Sequence, residues 1–335
     1  MVSWVALAAV AVAGTAAADV TLSGKLRFAY EADKASNTAV DSVKTNGLTH
    51  TDGDFRLTAT EDLGGGLTAT ARMEIASRGR GTGIDGRDAS ITLAGGFGSV
   101  MIGAVEAGNG IIGLGGAGAP VYGMDDFSAA CATPGEDDAA ETSVAECGVL
   151  DGGSNVNILS YTSPSFNGFT FTVNTTDATG PGGMQSAAPG TDARTVGLRY
   201  AAGPLAAAVD TTRVSQNDAA DTAAKSRTRM SASYDLGMVK LGFGYQTRKS
   251  FEAGAEKNKQ TLFGVSAPVA SNITVGMNYA TQKQGDAKVK GTDLGVQYDL
   301  SKRTYVAFHT QRNKANDAAN GGKYSKYRIQ LSHAF

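Results

Sequence analysis

A two-residue alternation of apolar and polar side chains recurs through almost the whole chain and constrains its fold more than any other feature. In the opening segment VTLSGKLRFAY, apolar side chains alternate with Thr, Ser, Lys and Arg. The last segment places Tyr327, Ile329, Leu331, His333 and Phe335 on one face. Because successive side chains of a β-strand point to opposite faces, the alternation predicts strands that are apolar on one side only.

Turn-forming sequences divide the chain into segments of strand length. Short connections rich in Gly, Pro, Asn and Asp lie at 61–66, 95–98, 164–168, 201–204, 235–238, 268–272 and 299–303. Longer polar stretches lie between them, at 31–53, 76–87, 105–155, 174–193, 212–226, 247–259, 281–290 and 311–323. Because short and long connections alternate strictly, we predict sixteen antiparallel strands in an up-and-down meander whose long loops all emerge at one end.

Two kinds of all-β architecture use antiparallel strands with one apolar face. In a soluble sandwich the apolar face packs on a second sheet, whereas in an outer-membrane barrel it contacts lipid and the polar face lines a lumen. The number of segments, the separation of short and long connections to opposite ends, and the aromatic Phe335 on the apolar face favour the barrel. We therefore predict a transmembrane antiparallel up-and-down β-barrel, which leaves no unpaired sheet edge in lipid.

The first 18 residues differ from the rest of the chain in composition. They are apolar and then rich in small residues, and end in three alanines before Asp19, which is typical of a secretory signal peptide. No later apolar run approaches the roughly 20 residues that cross a bilayer as a helix. We predict a signal peptide at 1–18 and a barrel at 19–335. Export implies an oxidising compartment, where Cys131 and Cys147 are candidates for a disulfide.

Charge is balanced overall but segregated along the chain. The 30 Lys and Arg against 32 Asp and Glu give no cationic field for nucleic acid, so no nucleic-acid partner is expected. No basic residue lies between Arg87 and Arg194, and most acidic residues of that interval fall in the long stretch 105–155. A loop of this length is usually functional or disordered.

Four basic residues of the early strands share the polar face. Counted from the end with short turns, they lie at similar heights on their strands, and they are Lys25, Arg27, Arg56 and Arg72. If the 105–155 loop folds into the lumen, its acidic side chains Glu106, Asp125 and Asp126 would face this basic cluster. We predict a pore constriction with a transverse field. The alternative is that the bases only satisfy a polar wall, through ion pairs such as Arg72 with Glu74.

Several stretches together resemble one known family. They are DVTLSGKLRFAYE, TEDLGGGLTA, ITLAGGFGSVMIGAVEAG, YTSPSFNGFTF and YRIQLSHAF. In this order and spacing the chain resembles the Gram-negative general porins of the trimeric, sixteen-stranded proteobacterial type. The resemblance implies a homotrimeric outer-membrane pore for small hydrophilic solutes and ions, with the third long loop folded into the channel. It also implies that the barrel-assembly machinery reads Phe335, and we expect the lipid bilayer and lipopolysaccharide as partners.

Other functions are less well supported by the residues. The three histidines have no nucleophile beside them in the local sequence, with His50 expected in the first long loop, His309 in the lumen and His333 on the lipid face. We therefore expect no enzyme, no cofactor and no metal site. A substrate-selective channel for an anion, a sugar or a dicarboxylate remains the alternative to a general pore.

Overall fold

The fold is a single antiparallel sheet of sixteen strands that closes on itself. The computed structural model describes residues 19–37, 43–76, 85–106, 155–177, 192–215, 224–316 and 322–335. The strands are β1 Asp19–Asn37, β2 Val43–Gly64, β3 Leu67–Ala76, β4 Asp85–Gly95, β5 Gly98–Glu106, β6 Asn155–Thr162, β7 Phe169–Asp177, β8 Asp192–Ala202, β9 Leu205–Val214, β10 Ala224–Asp235, β11 Lys240–Ser250, β12 Asn258–Ala270, β13 Ile273–Gln284, β14 Ala287–Asp299, β15 Thr304–Ala315 and β16 Gly322–Ala334. Each strand pairs with its sequence neighbours, and β1 also pairs with β16. The predicted sixteen-stranded barrel is confirmed.

The burial pattern of the barrel is the reverse of that of a soluble protein. In β14, Leu294 is 48% exposed on the outer face, and Val296 and Tyr298 are exposed beside it. The neighbouring inward-facing side chains, Asp293 and Gln297, are buried. A sheet that is apolar outside and polar inside is the arrangement of an outer-membrane barrel. Within its described residues, the structure has no helix that is long and apolar enough to cross a membrane.

The strands extend further than the sequence predicts. The predicted loop at 31–53 is mostly strand, because β1 continues to Asn37 and Asp33 lies opposite Thr45 of β2. The predicted loop at 281–290 is a hairpin with a two-residue turn, in which Gly285 takes a positive φ of 58°. Both predictions were wrong because a strand that extends beyond the apolar band is polar on both faces and loses the alternation. The expectation of a long loop at every second connection is corrected accordingly.

Two predictions of domain organisation lie outside the described residues. The predicted signal peptide at 1–18 is one of them. The other is the constriction loop, since β5 ends at Glu106 and β6 begins at Asn155. Both stay predictions.

The seam between the first and last strands is completed by one glycine and one phenylalanine. The backbone groups of Gly24 and Phe335 exchange two hydrogen bonds, of 3.1 Å and 3.0 Å. The Phe335 ring lies over Gly24 on the outer face, so a Cβ at Gly24 would be 2.5 Å from the ring and closer still to the backbone oxygen of Asp54. Only glycine therefore fits at this point of the seam.

The seam gives a direct test by substitution. We expect Gly24→Ala to destabilise the barrel by about 1–3 kcal/mol, because the added methyl group has to displace the Phe335 ring or the β2 backbone. The free energy of unfolding in urea, followed by heat-modifiable gel mobility, measures this change. Gly47→Ala is the matched control, since a methyl group added at Gly47 of β2 would meet nothing within 4 Å. Equal effects of the two substitutions would contradict the role given to Gly24.

Candidate functional site

Charged side chains form a band on the lumen wall that runs from β16 through β1, β2 and β3 to β4. The basic members are Lys25, Arg27, Arg56, Arg72, Lys326 and Arg328, and the acidic members are Glu31, Asp52, Asp54, Glu74 and Asp88. They share the inward face because each lies on the polar side of its strand. We call these residues the charged band.

The first part of the charged band joins β1 and β2. The Lys25 ammonium lies 2.7 Å from Asp52 and 3.3 Å from Asp54, and the Arg27 guanidinium lies 3.4 Å from Asp52. A β-bulge makes this pairing possible. The register places Arg27 opposite Asp52 and Phe28 opposite His50, so Thr51 is the extra residue of β2 at the bulge.

The second part joins β2, β3 and β4 through one carboxylate. Arg56 donates from Nε and Nη2 to Glu74 Oε2, at 2.8 Å and 2.6 Å. Arg72 donates from Nη2 to the same oxygen at 2.6 Å and to Asp88 at 3.3 Å. The ion pair between Arg72 and Glu74, which the sequence left as an alternative, is therefore present. Two guanidinium groups converge on a single oxygen.

The third part joins β1 to β16. Glu31 accepts a hydrogen bond from Nε of Arg328, which lies directly opposite it, and Glu31 also lies 3.4 Å from Lys326. Next to this group, the Tyr324 hydroxyl donates to Asp33 at 3.3 Å. The charged band thus crosses the seam of the barrel.

The cations and anions of the charged band differ in their exposure to the lumen. The side chains of Arg56, Arg72 and Lys25 are 39%, 35% and 29% exposed. Those of Glu74 and Asp52 are 3% and 4% exposed. Around Lys25, Arg56 and Arg72 the carboxylates therefore lie behind the basic groups, and the surface that meets the water there is cationic. The order is reversed at the seam, where Glu31 is 16% exposed and Arg328 is 6% exposed.

A further ion pair of the wall is buried, so solutes in the lumen do not contact it. Arg229 of β10 donates from Nε to both carboxylate oxygens of Asp210 of β9, at 2.8 Å and 3.1 Å, and its Nη2 lies 2.7 Å from Asp210. The two side chains are 1% and 0% exposed. Burial at this level leaves Arg229 no surface to present to a passing ion.

Apart from Glu74, the acidic members of the charged band were not predicted from the sequence. Asp52 was assigned to a loop, and so was Glu31, although extension of the alternation of β1 by one more step would have found Glu31. The loop assignment of His50 was also wrong. His50 belongs to β2 and stacks on Phe28 on the outer face, with ring centroids 4.6 Å apart.

The acidic side of the predicted constriction is outside the described residues. Asp125 and Asp126 lie outside the described residues, and so do the disulfide candidates Cys131 and Cys147. What the sequence predicts for these four residues stays a prediction. The backbone of Glu106 ends β5, but its side chain is not described. The described part of the chain contains no group of three or more His, Cys, Asp or Glu side chains placed to hold a metal ion.

Comparisons with known proteins point to one family. The family profile described as Gram-negative porin matches residues 5–318. An outer membrane porin protein of Bordetella pertussis is 29% identical over an alignment of 220 residues, and the match covers 53% of this chain. That match spans 57% of the length of the relative, so the chain matches a little over half of it.

Solved structures with the same fold cover almost the whole chain. An anion-selective porin from Comamonas acidovorans has a TM-score of 0.72 and 24% identity, and the match covers 95% of this chain and all of that one. A trimer form of the outer membrane protein OmpT of Vibrio cholerae has a TM-score of 0.63 and 12% identity, with 95% of this chain and all of that one covered.

The buried ion pair of β9 and β10 predicts a large loss of stability on substitution. We expect Arg229→Met to lower the free energy of unfolding by about 3–5 kcal/mol, because it leaves the Asp210 carboxylate buried without its partner. The double variant with Asp210→Leu should recover most of this loss. Urea unfolding of the refolded barrel measures both. Arg303→Met, in the exposed turn before β15, is the control, and we expect it to change stability by less than about 0.5 kcal/mol. A loss for Arg229→Met as small as that of the control would contradict the expectation.

Proposed function

The chain belongs to the Gram-negative porin family, and from this membership we propose that it forms a water-filled channel for passive diffusion of small hydrophilic solutes and ions. Its location is the outer membrane of a Gram-negative bacterium. The observation that carries the proposal is the inverted burial of the closed sheet, with exposed apolar side chains outside and polar side chains inside. Such a sheet excludes lipid from its interior and keeps water there.

The charged band sets the sign of a weak ion preference. Its acidic and basic groups nearly cancel, so the net field is small. The exposed groups, however, are the guanidinium groups of Arg56 and Arg72 and the ammonium of Lys25. Since an ion in the lumen meets these cations before the carboxylates behind them, the channel favours anions over cations. The similar protein from Comamonas acidovorans is named an anion-selective porin, which agrees in sign with this proposal.

The proposed constriction has two sides. The charged band supplies the basic side. Glu106, Asp125 and Asp126 of the 105–155 loop supply the acidic side in our proposal, which follows from the segregation of charge along the sequence. A solute with a dipole would align between the two sides.

The proposed assembly is a homotrimer in the outer membrane. Support comes from the family, and from the solved OmpT structure that is described as a trimer form. We also propose that Phe335 is the signal read by the barrel-assembly machinery, and that the lipid bilayer and lipopolysaccharide surround the barrel. The channel has no catalytic activity in this proposal, and its three histidines lie apart on β2, β15 and β16.

Reversal potentials in a potassium chloride gradient test the origin of the ion preference. We expect Arg56→Gln combined with Arg72→Gln to lower the chloride preference, and Glu74→Gln to raise it, because the first change removes exposed cations and the second removes the carboxylate behind them. Arg27 is 6% exposed, so Arg27→Gln should shift the potential less than Arg72→Gln. Lys302→Gln, in a turn outside the lumen, is the control. An unchanged potential in the double variant would remove the two arginines from the selectivity mechanism.

Solute competition distinguishes a general pore from a substrate-selective channel. For a general pore in a planar bilayer we expect an ohmic conductance that millimolar phosphate, dicarboxylate or sugar leaves unchanged. A substrate-selective channel binds its solute, so one of these solutes would reduce the conductance at millimolar concentration. Such a block would overturn the general pore in favour of the selective one.

A further inference from the structure

Lysines are concentrated on the outer face of β12 to β16, at the end of the barrel opposite Phe335. They form two rows across neighbouring strands, Lys259, Lys283 and Lys288 in the first lysine row and Lys290, Lys314 and Lys323 in the second lysine row. All six side chains are exposed.

The strand register places the lysines of each row directly beside one another. Lys283 is the cross-strand partner of both Lys259 and Lys288. Lys314 is likewise the partner of both Lys290 and Lys323. Neighbouring strands lie about 4.8 Å apart, so the Cα atoms of the three lysines in each row span about 10 Å. Like charges that face each other across strands are destabilising unless something compensates them.

The protein itself supplies no such compensation in the described part of the chain. Among the described residues, none of the six lysines has an ion pair or a hydrogen bond from its side chain. The outward-facing positions of β12 to β16 include no Asp or Glu. By contrast, every basic group of the charged band has a carboxylate beside it. The described residues therefore do not supply the anion that the lysine rows require.

The lysine rows lie at the edge of the apolar outer surface that is farther from Phe335. Along β14 the outward side chains run from Leu294 through Thr292 to Lys290, and along β13 from Tyr279 through Thr281 to Lys283. The same order of apolar, hydroxyl and basic side chains recurs on β12, β15 and β16. A group that meets these ammonium groups is therefore next to the hydrocarbon of the bilayer, within reach of lysine side chains that extend toward the headgroups.

We infer that the lysine rows bind the headgroup of an outer-leaflet glycolipid that carries more than one phosphate. A phosphate ligand explains the uncompensated cations, and the neighbouring apolar band accommodates the acyl chains of the same molecule. A diacyl glycerophospholipid such as phosphatidylglycerol has a single phosphate, whereas three ammonium groups in a row match two or more. The inference rests on the proposed function for the orientation of the barrel, with its lysine-rich end in the outer leaflet, and for lipopolysaccharide as a neighbour of the barrel.

Lipid binding by variants tests this assignment. The probe is bisphosphorylated lipid A, titrated against the chain refolded in a neutral detergent and followed by native mass spectrometry. At about 1 kcal/mol for each lysine, replacement of the second lysine row with glutamine should weaken binding by about 100-fold. We expect a similar loss for the first lysine row. The wild-type chain should keep its binding in EDTA, because the lysines need no bridging divalent ion.

Matched controls identify both the residues and the lipid. The pair Lys314→Gln and Lys323→Gln should weaken binding by about 30-fold. The pair Lys302→Gln and Arg303→Gln removes the same charge from the opposite end and should change it by less than 3-fold. An equal loss in the two pairs would overturn the assignment, as would unchanged binding after removal of a whole row, or loss of binding in EDTA. Binding that is as tight to dephosphorylated lipid A or to phosphatidylglycerol would overturn the choice of lipid.

Channel recordings separate this inference from the proposed function. In a bilayer of uncharged lipid, both row variants should conduct as the wild type does. If the wild type does not conduct, the proposed pore fails while the lipid titration still decides the assignment of the lysine rows. If the variants conduct normally and bind lipid A as the wild type does, the assignment fails and the pore stands.

Discussion

The closure of the sheet is the constraint on which the rest of this molecule depends. Inside a bilayer, backbone N–H and C=O groups find no water, so each has to be paired within the protein. Sixteen antiparallel strands satisfy this requirement only because β1 also pairs with β16, from Lys25 opposite Ala334 to Asn37 opposite Gly322. The Phe335 ring covers the outer face of this seam at Gly24, the one glycine of β1.

Closure also determines where charge can be placed. Once one face of the sheet is given to lipid, alternate residues of every strand face a shared aqueous interior. Opposite charges on neighbouring strands then lie within ion-pair distance, as for Arg56 and Glu74. The depth of each group decides what a solute meets. Arginine is long enough to extend over a shorter carboxylate, so a wall with nearly balanced charge still presents a cationic surface.

The sequence predicts the architecture well and the site only in part. The number of strands, their direction and their apolar face follow from the alternation, because lipid on one side and water on the other maintain it. The alternation stops where both faces are wet, and there the prediction placed Glu31, Asp52 and His50 in a loop. The bulge at Thr51 is a further obstacle, since one extra residue reverses the faces that follow. Its position depends on the pairing of β1 with β2 and has no signal in the sequence.

The two sets of basic residues show how the same side-chain chemistry serves different surroundings. Inside the barrel, Arg72 forms ion pairs with Glu74 and Asp88 of the chain itself. Its charge is therefore compensated before any solute enters. Outside, Lys314 has a lysine opposite it on each neighbouring strand, and the outward-facing described residues of β12 to β16 include no carboxylate. A bound anion stabilises an arrangement of this kind, and a membrane leaflet supplies its headgroups at a constant high concentration. The inner set therefore suits ions that pass through, and the outer set suits a ligand that stays bound.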